Sequence, residues 1–300
     1  MKQLIVTADD FGAAVVVNEA VERSHTQGVL TAASLMVGAP AAADAVARAR
    51  RLPRLRVGLH LVLVEGRPVS DPARVPDLVT ADGQLRTDMA GLGLEIFLSP
   101  RVRGQLAAEI EAQFAAYAET GLPLDHVNTH KHFHLHPTIA DLIVRIGRRF
   151  GLKAMRTPAE PREVLIAIEP DAKPPPAYLT APWAWLGKGR LRRDGIATPD
   201  QVFGLNWSGA MTADRLAGII RRLPQGLSEI YLHPATAQSF AGSGPGYRHV
   251  EEFEALIDPA VIAVARAQDV TLGGFTDFAR QGGGPQGGGP QGGRPQGGRP

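Results

Sequence analysis

The sequence predicts an α/β protein built as a distorted, TIM-like (β/α) barrel, and three observations carry that prediction. Short β-branched runs alternate with amphipathic helical stretches, the order of a parallel sheet with helical crossovers. Several of the strands end in a polar or charged residue, namely Asp9 and Asp10, His60, His130, Arg156 and His233. A closed barrel gathers such ends at the face that carries its chemistry, and ~250 residues is the usual size. An open doubly wound sheet is instead expected to show a glycine-rich phosphate turn after its first strand. Here the first strand runs into Asp9-Asp10-Phe11-Gly12.

The elements follow in order from residue type and period. Apolar, β-branched stretches predict strands at Gln3–Thr7, Thr31–Val37, Arg56–Val64, His126–Thr129, Lys153–Arg156, Glu229–Leu232 and Val270–Gly273. Helical amphipathicity predicts Asn18–Gln27, Ala41–Arg51, Thr138–Phe150 and Glu251–Ala267. Residues 170–207 break the rhythm with Pro174-Pro175-Pro176, Tyr178 and all three tryptophans, Trp183, Trp185 and Trp207. The stretch reads as a long loop packed by its own aromatics, or as a lid or apolar platform beside the site. From Gln281 the chain repeats Gln-Gly-Gly-Gly/Arg-Pro units, which bury nothing and lose much backbone entropy on ordering. Residues 1–280 are therefore expected to form one domain and 281–300 a disordered tail.

Composition narrows the function classes. With 44% hydrophobic and 21% charged residues over 300, the chain as a whole is not disordered. A formal charge of +2 gives no phosphate-tracking surface, so nucleic acid is not an expected partner. The absence of cysteine excludes disulfides, thiolate metal sites and cysteine nucleophiles, leaving His, Asp, Glu and water to hold any metal. The apolar start is interrupted by Asp9 and Asp10 before it could serve as a secretory segment, which reads as a cytoplasmic start. No uncharged apolar run approaches the ~18 residues that would span a bilayer, so any membrane contact is expected to be peripheral.

Asp9 and Asp10 would repel each other unless something positive intervenes, which suggests a metal; alternatively one caps the next helix and the other is solvated. His60 is a titratable ring inside an otherwise apolar strand. Residues 126–137 carry five of the nine histidines, His126, His130, His132, His134 and His136, which in an extended segment would share one face. Packing five imidazoles together costs desolvation and repulsion unless metal or hydrogen bonding compensates. No HExxH motif is present, which disfavours a zincin-type protease. His233 ends a strand in position for proton transfer, and Arg156 could orient a carboxylate or stabilise an oxyanion.

Thr7-Ala8-Asp9-Asp10-Phe11-Gly12, Val57-Gly58-Leu59-His60-Leu61, the histidine-rich segment and Tyr231-Leu232-His233-Pro234 succeed one another as in the YdjC-like (ChbG-type) carbohydrate deacetylases, which the chain resembles over nearly all of residues 1–280. The resemblance implies a distorted barrel related to the NodB-type polysaccharide deacetylases and metal-dependent removal of an N-acetyl group from an amino sugar. It further implies that Asp10, His60 and His130 hold a divalent ion, zinc or magnesium, and that Asp9 is the base. His233 would supply a proton to the departing amine, with Arg156 fixing Asp9. His132 and His134 would contact substrate or support the ligands from behind. The segments Thr31–Pro40, Val62–Pro68 and Asp125–Pro137 resemble more closely the hopanoid-biosynthesis-associated branch called HpnK. Asn128 stands where the general family usually has Asp, and supports that branch.

The expected activity is thus hydrolysis of the N-acetyl group of an N-acetylglucosamine unit, in this branch one carried on a hopanoid lipid. The rivals are a deacetylase of soluble chitooligosaccharides and a non-catalytic metal-dependent binding protein on the same barrel. Homodimer formation fits any of the three.

Overall fold

The computed structural model describes residues 1–171 and 181–279. Its centre is β1 (Lys2–Phe11), in which Leu4, Ile5, Val6 and Ala8 are all fully buried. A strand covered on both faces is what a parallel sheet between helices requires. One edge of β1 pairs with β6 (Gly226–Leu232). The other is shared by β7 (Val270–Leu272) along the first half and β2 (Ala32–Leu35) along the second. From β2 the sheet continues through β3 (Arg56–Leu61) to β4 (Val127–Thr129), and from β6 to β5 (Gln201–Phe203). Every one of these pairings is parallel. The sheet curls, and between β4 and β5 isolated bridges at Val127–Met155 and Ala154–Ala197 carry the ladder on. The barrel is therefore distorted where Lys153–Arg156, expected as a strand, contributes bridges instead.

Helices cover the outside: α1 (Val15–Gln27), α2 (Ala42–Arg51), α3 (Met89–Leu98), α4 (Pro100–Glu119), α5 (Pro137–Gly147), α6 (Arg162–Ile168), α7 (Ala181–Arg193), α8 (Ala213–Arg221), α9 (His249–Ile257), α10 (Pro259–Ala267) and α11 (Phe275–Ala279). Two expected stretches are built differently. The single helix expected over Glu251–Ala267 is broken because Pro259 occupies the first turn of α10 and Asp258 caps it, accepting from the amides of Ala260 and Val261 at 2.7 and 3.2 Å. The stretch 170–207 is not one irregular loop, since it contains α7 and β5. Trp207 belongs to the core rather than to a lid: it is 4% exposed, and its indole N–H donates to Glu169 at 2.9 Å. Tyr178 and the side chains of Trp183 and Trp185 lie outside the described residues, as does the tail from Gln281.

The long excursion between β3 and β4 is organised by α4, which buries Val102, Leu106, Ile110 and Phe114. Its polar residues work inward as well. Gln113 binds the backbone N–H and C=O of Val62 at 2.9 and 2.6 Å, and Glu109 accepts from Val69 and Ser70. These bonds fasten the loop after β3, one wall of the cleft above the strand ends. Gly58 is required in β3 because a Cβ there would stand 2.5 Å from the His126 ring. That close approach lets His126 stack on Phe275 at 4.2 Å, locking the C-terminal segment under the sheet.

Candidate active site

At the end of β1 the pairing register shifts between Ala8 and Phe11, and Asp10 takes a left-handed φ of 62°. The irregularity separates the two acids. Asp9 turns into the barrel, where Oδ2 accepts from Arg156 Nη1 at 2.6 Å and Oδ1 accepts from Arg156 Nη2 at 3.0 Å, Ser34 at 2.8 Å and Asn128 at 3.0 Å. Asp10 turns toward the histidines, with Oδ1 3.3 Å from His60 Nε2 and 3.6 Å from His130 Nδ1.

Asp10, His60 and His130 offer one ligand atom each, all within 4.8 Å of one another. Asp10 Oδ1 and His60 Nε2 are buried and lack any hydrogen-bond partner. Buried polar atoms left unpaired are costly, and a cation among them removes the cost. The formal charges point the same way: Arg156 is shared by the carboxylates of Asp9 and Glu229, and Asp10 has only the two imidazoles beside it. Burial opposes ionisation of Asp10, but the neighbouring His130 and His60 win and hold its carboxyl well below the usual range. Burial likewise opposes a charged His60, yet Asp10 and Asp9 raise it overall. The site calls for positive charge, and its donor set suits a divalent metal.

Asn128 sets the chemistry of two neighbours at once. Its amide nitrogen donates to Asp9, so its Oδ1 is the acceptor facing His60 Nδ1 at 2.8 Å. The proton then sits on Nδ1, leaving Nε2 with its lone pair aimed at Asp10, the support a ligating imidazole usually has. An aspartate at this position could not donate to Asp9.

Arg156 is completely buried, bonded to Asp9 on one side and Glu229 on the other, with Nη2 at 2.7 Å from Glu229 Oε1. Glu229 also accepts from Thr7 at 2.8 Å, and the guanidinium lies 4.4 Å from the Tyr231 ring centre. Burial alone would raise the carboxyl of Asp9, but the charge and hydrogen bonds of Arg156 depress it far below the ordinary range.

His233 follows β6 beside these groups. Burial pushes its imidazole below the ordinary value despite the nearby Asp10 and Asp9. Its backbone N–H donates to Glu252 at 2.5 Å, and its Nδ1 stands 3.9 Å from the same carboxylate. Burial raises Glu252 to about 7.

The five clustered histidines do not share one face. After β4 the chain winds into a short 3-10 segment with Lys131 and His132 both at φ 54°, so successive rings fan outward. His130 meets Asp10, His132 Nε2 lies 3.0 Å from Tyr231 Oη, and His134 Nδ1 lies 2.7 Å from Thr129 Oγ1. His136 Nε2 reaches the Gly93 carbonyl at 3.1 Å, and His126 pairs with Asp125 at 3.0 Å. Burial holds His132 well below the ordinary range and His134 at about 3, with Arg156 adding to both. Burial thus favours the neutral form of both. A cavity of about 260 Å³ opens beside Asp10 and His130, walled by Met36, Val62, Glu65 and Phe240.

Asp9, Asp10, His60, His130, Arg156 and His233 thus gather around one site, with His132 and His134 behind it. Ser34, Glu229, Tyr231 and Glu252 were not singled out from sequence. Glu229 carries the signal that drew attention to His60, an ionisable residue inside an apolar strand; Glu252 sits on an ordinary amphipathic helix and carries none.

A family model described as YdjC-like protein matches residues 3–267. The carbohydrate deacetylase of Geobacillus stearothermophilus is 30% identical over 278 residues, covering 91% of this chain and 97% of its own. That of Thermoanaerobacter pseudethanolicus is 26% identical over 274 residues, with the same coverages of 91% and 97%. Among solved structures, an Enterococcus faecalis protein provisionally described as a cellobiose-phosphate cleavage protein superposes with a TM-score of 0.73 at 21% identity. It covers 92% of this chain and 98% of its own. At that identity the likeness speaks for the distorted barrel alone.

Proposed function

The chain belongs to the YdjC-like family, and on that footing we propose that it is a metal-dependent carbohydrate N-deacetylase. The observation that carries the reading is the convergence of Asp10, His60 and His130 beside an Asp9 gripped by Arg156. Those three residues would hold the ion, and two imidazole nitrogens with one carboxylate oxygen suit zinc or another transition ion better than magnesium. Bound there, the ion supplies Lewis-acid polarisation of an amide carbonyl and acidification of a water.

The residues of the chain do the rest. Asp9 receives the proton of the attacking water. Oδ1 already accepts three hydrogen bonds and Oδ2 one, which leaves Oδ2 the freer acceptor. Arg156 fixes the carboxylate and, with Glu229 behind it, is itself unable to swing away. His233 delivers a proton to the departing sugar amine. Because burial disfavours its charged form in the free protein, the proton it delivers is one that Asp9, beside a guanidinium, does not retain. Acetate and a free amino sugar result. His132 and His134, bonded to Tyr231 and Thr129, brace the wall against which the sugar lies.

The finer reading is that the N-acetylglucosamine unit is carried on a hopanoid lipid, supported by the segments Thr31–Pro40, Val62–Pro68 and Asp125–Pro137 and by Asn128. Among the described residues no helix is long and apolar enough to cross a membrane; the reading has the protein meet such a substrate peripherally. Measuring acetate release from N-acetylglucosaminyl hopanoid and from diacetylated chitobiose, with and without chelator, tests the whole reading. Release from the hopanoid that chelator abolishes is the expected result. Release from chitobiose alone would move the assignment to soluble oligosaccharides, and release from neither would leave a binding protein. His60→Ala should lose about one equivalent of ion together with activity; full occupancy in that variant would sink the ligand set.

A further inference from the structure

Helix α3 reads Met-Ala-Gly-Leu-Gly-Leu-Glu-Ile-Phe-Leu, and its inner face, Leu92, Gly93 and Ile96, is buried. Its outer face is apolar too. Leu94, Phe97 and Leu98 are 60%, 60% and 66% exposed at helical spacing, three of the eight large hydrophobics exposed among the described residues. A surface helix ordinarily turns polar residues outward, and an apolar outer stripe marks an interaction surface.

The charges around the stripe select its partner. Arg86 holds both Asp88 and Glu95 at 2.8 Å, and Arg101 holds Asp77 at 2.9 Å, so three acids on this side face two guanidinium groups. Arg103 extends along the end of α3, donating to the Phe97 carbonyl at 2.8 Å, and has no carboxylate partner among the described residues. It lines a groove with Arg145, Arg148 and Arg190 against only Asp141 and Asp194. An apolar stripe bordered by surplus arginine matches an anionic bilayer surface, where apolar side chains enter the interface and guanidinium groups meet the headgroups.

The stripe also lies on the catalytic side. Helix α3 follows the loop that contributes Glu65 and Gln84 to the cleft, and the Phe97 ring meets that of His136 at 6.4 Å. The geometry points to the outer face of α3, with the arginine groove beside Pro100, as the surface by which the protein docks on an anionic lipid membrane. Docking there brings the cleft to a substrate embedded in the bilayer, and in that respect the inference rests on the lipid-linked reading above. It places the lipid contact on Leu94, Phe97 and Leu98 rather than on the tryptophans of residues 170–207.

Co-sedimentation of the full chain with vesicles of equimolar phosphatidylglycerol and phosphatidylcholine tests this without recourse to catalysis. The protein should pellet with these vesicles and more weakly with phosphatidylcholine alone. The triple variant Leu94→Ser/Phe97→Ser/Leu98→Ser should lower the bound fraction about tenfold or more. Arg103→Glu/Arg145→Glu should abolish the preference for phosphatidylglycerol. Both variants should keep the circular dichroism spectrum and melting temperature of the parent, which reports that they are folded. Vesicle binding by the triple variant equal to that of the parent, or no binding by the parent, would overturn the proposal. So would a dimer in sedimentation velocity that the triple variant converts to monomer. If vesicle binding follows the expected pattern while no substrate yields acetate, the docking surface stands and the deacetylase reading fails.

Discussion

Between Asp9 and Asp10 the backbone leaves the extended conformation of β1 for the left-handed region, and that one torsion sends two adjacent carboxylates to different partners. Such a conformation costs a non-glycine residue about 1–3 kcal/mol. Asp9 gains Arg156, Ser34 and Asn128, whereas Asp10 gains only the open approach to His60 and His130. Asp9→Asn should keep the bound ion yet lose roughly two to four decades of rate, the usual range for a general base. Asp10→Asn should lower metal content itself. Parallel metal analysis and turnover on both variants decide the matter, and a reversed outcome would exchange the two roles. The pair was visible in the sequence as two like charges needing a cation; the division of labour was not, because it depends on partners 25 to 147 positions away.

Among the elements, the strand ends and the loops after them do the assembling. Asp10, Glu65, Lys131 and His132 are the positive-φ residues other than glycine among those described; the first lies at the end of β1 and the others beyond β3 and β4. Glu65 and Lys131 form an ion pair across the rim. Below the sheet the opposite end is tied by Asp125, whose carboxylate accepts from the amides of Phe275 and Thr276 at the start of α11, from the Thr276 hydroxyl and from His126. Burial alone would raise the Asp125 carboxyl, but His126 and Thr276 outweigh it and lower it below the ordinary value. A lowered carboxyl gives stability that is present above its unfolded pKa, about 3.9, and is lost as pH falls through the folded value. Asp125→Asn should therefore cost about 2 kcal/mol at pH 7, and the gap to the parent should narrow in urea titrations below about pH 4. A pH-independent gap would mean that packing, not charge, is what Asp125 contributes.

At the scale of the whole molecule, curling a parallel sheet brings residues from both ends of the chain to one cleft, since β1 lies between β2 and β6 and the ladder returns through Met155 and Ala197. The last packed element closes the sheet from below, with Phe275 and Phe278 against Ile5, Ala32 and Ala154, and the Arg56–Asp277 ion pair at 2.7 Å. We take the domain to end there. Removing residues 281–300 should leave the melting temperature within about 1 °C and the bound metal unchanged, because such Gly/Pro/Gln repeats offer no apolar surface to bury. A larger drop in the thermal melt would show that the tail packs on the barrel.

The sequence by itself determined the class of the fold, since a period of two alternating with one of 3.6 admits little besides a parallel sheet with crossover helices. It also determined the chemistry available: with no cysteine, two adjacent acids and a run of histidines, any metal had to rest on oxygen and imidazole. It left the excursion between β3 and β4 unread, merged α9 with α10 across a proline that marked the break, and took the five histidines as one face. Tertiary structure decided what depends on approach in space. It showed that the histidines fan apart through two left-handed residues, that Glu229 and Glu252 stand behind Arg156 and His233, and that α3 turns an apolar stripe outward. Periodicity reports which face of an element is apolar, whereas burial, charge pairing and exposure are set by neighbours that only the folded chain supplies.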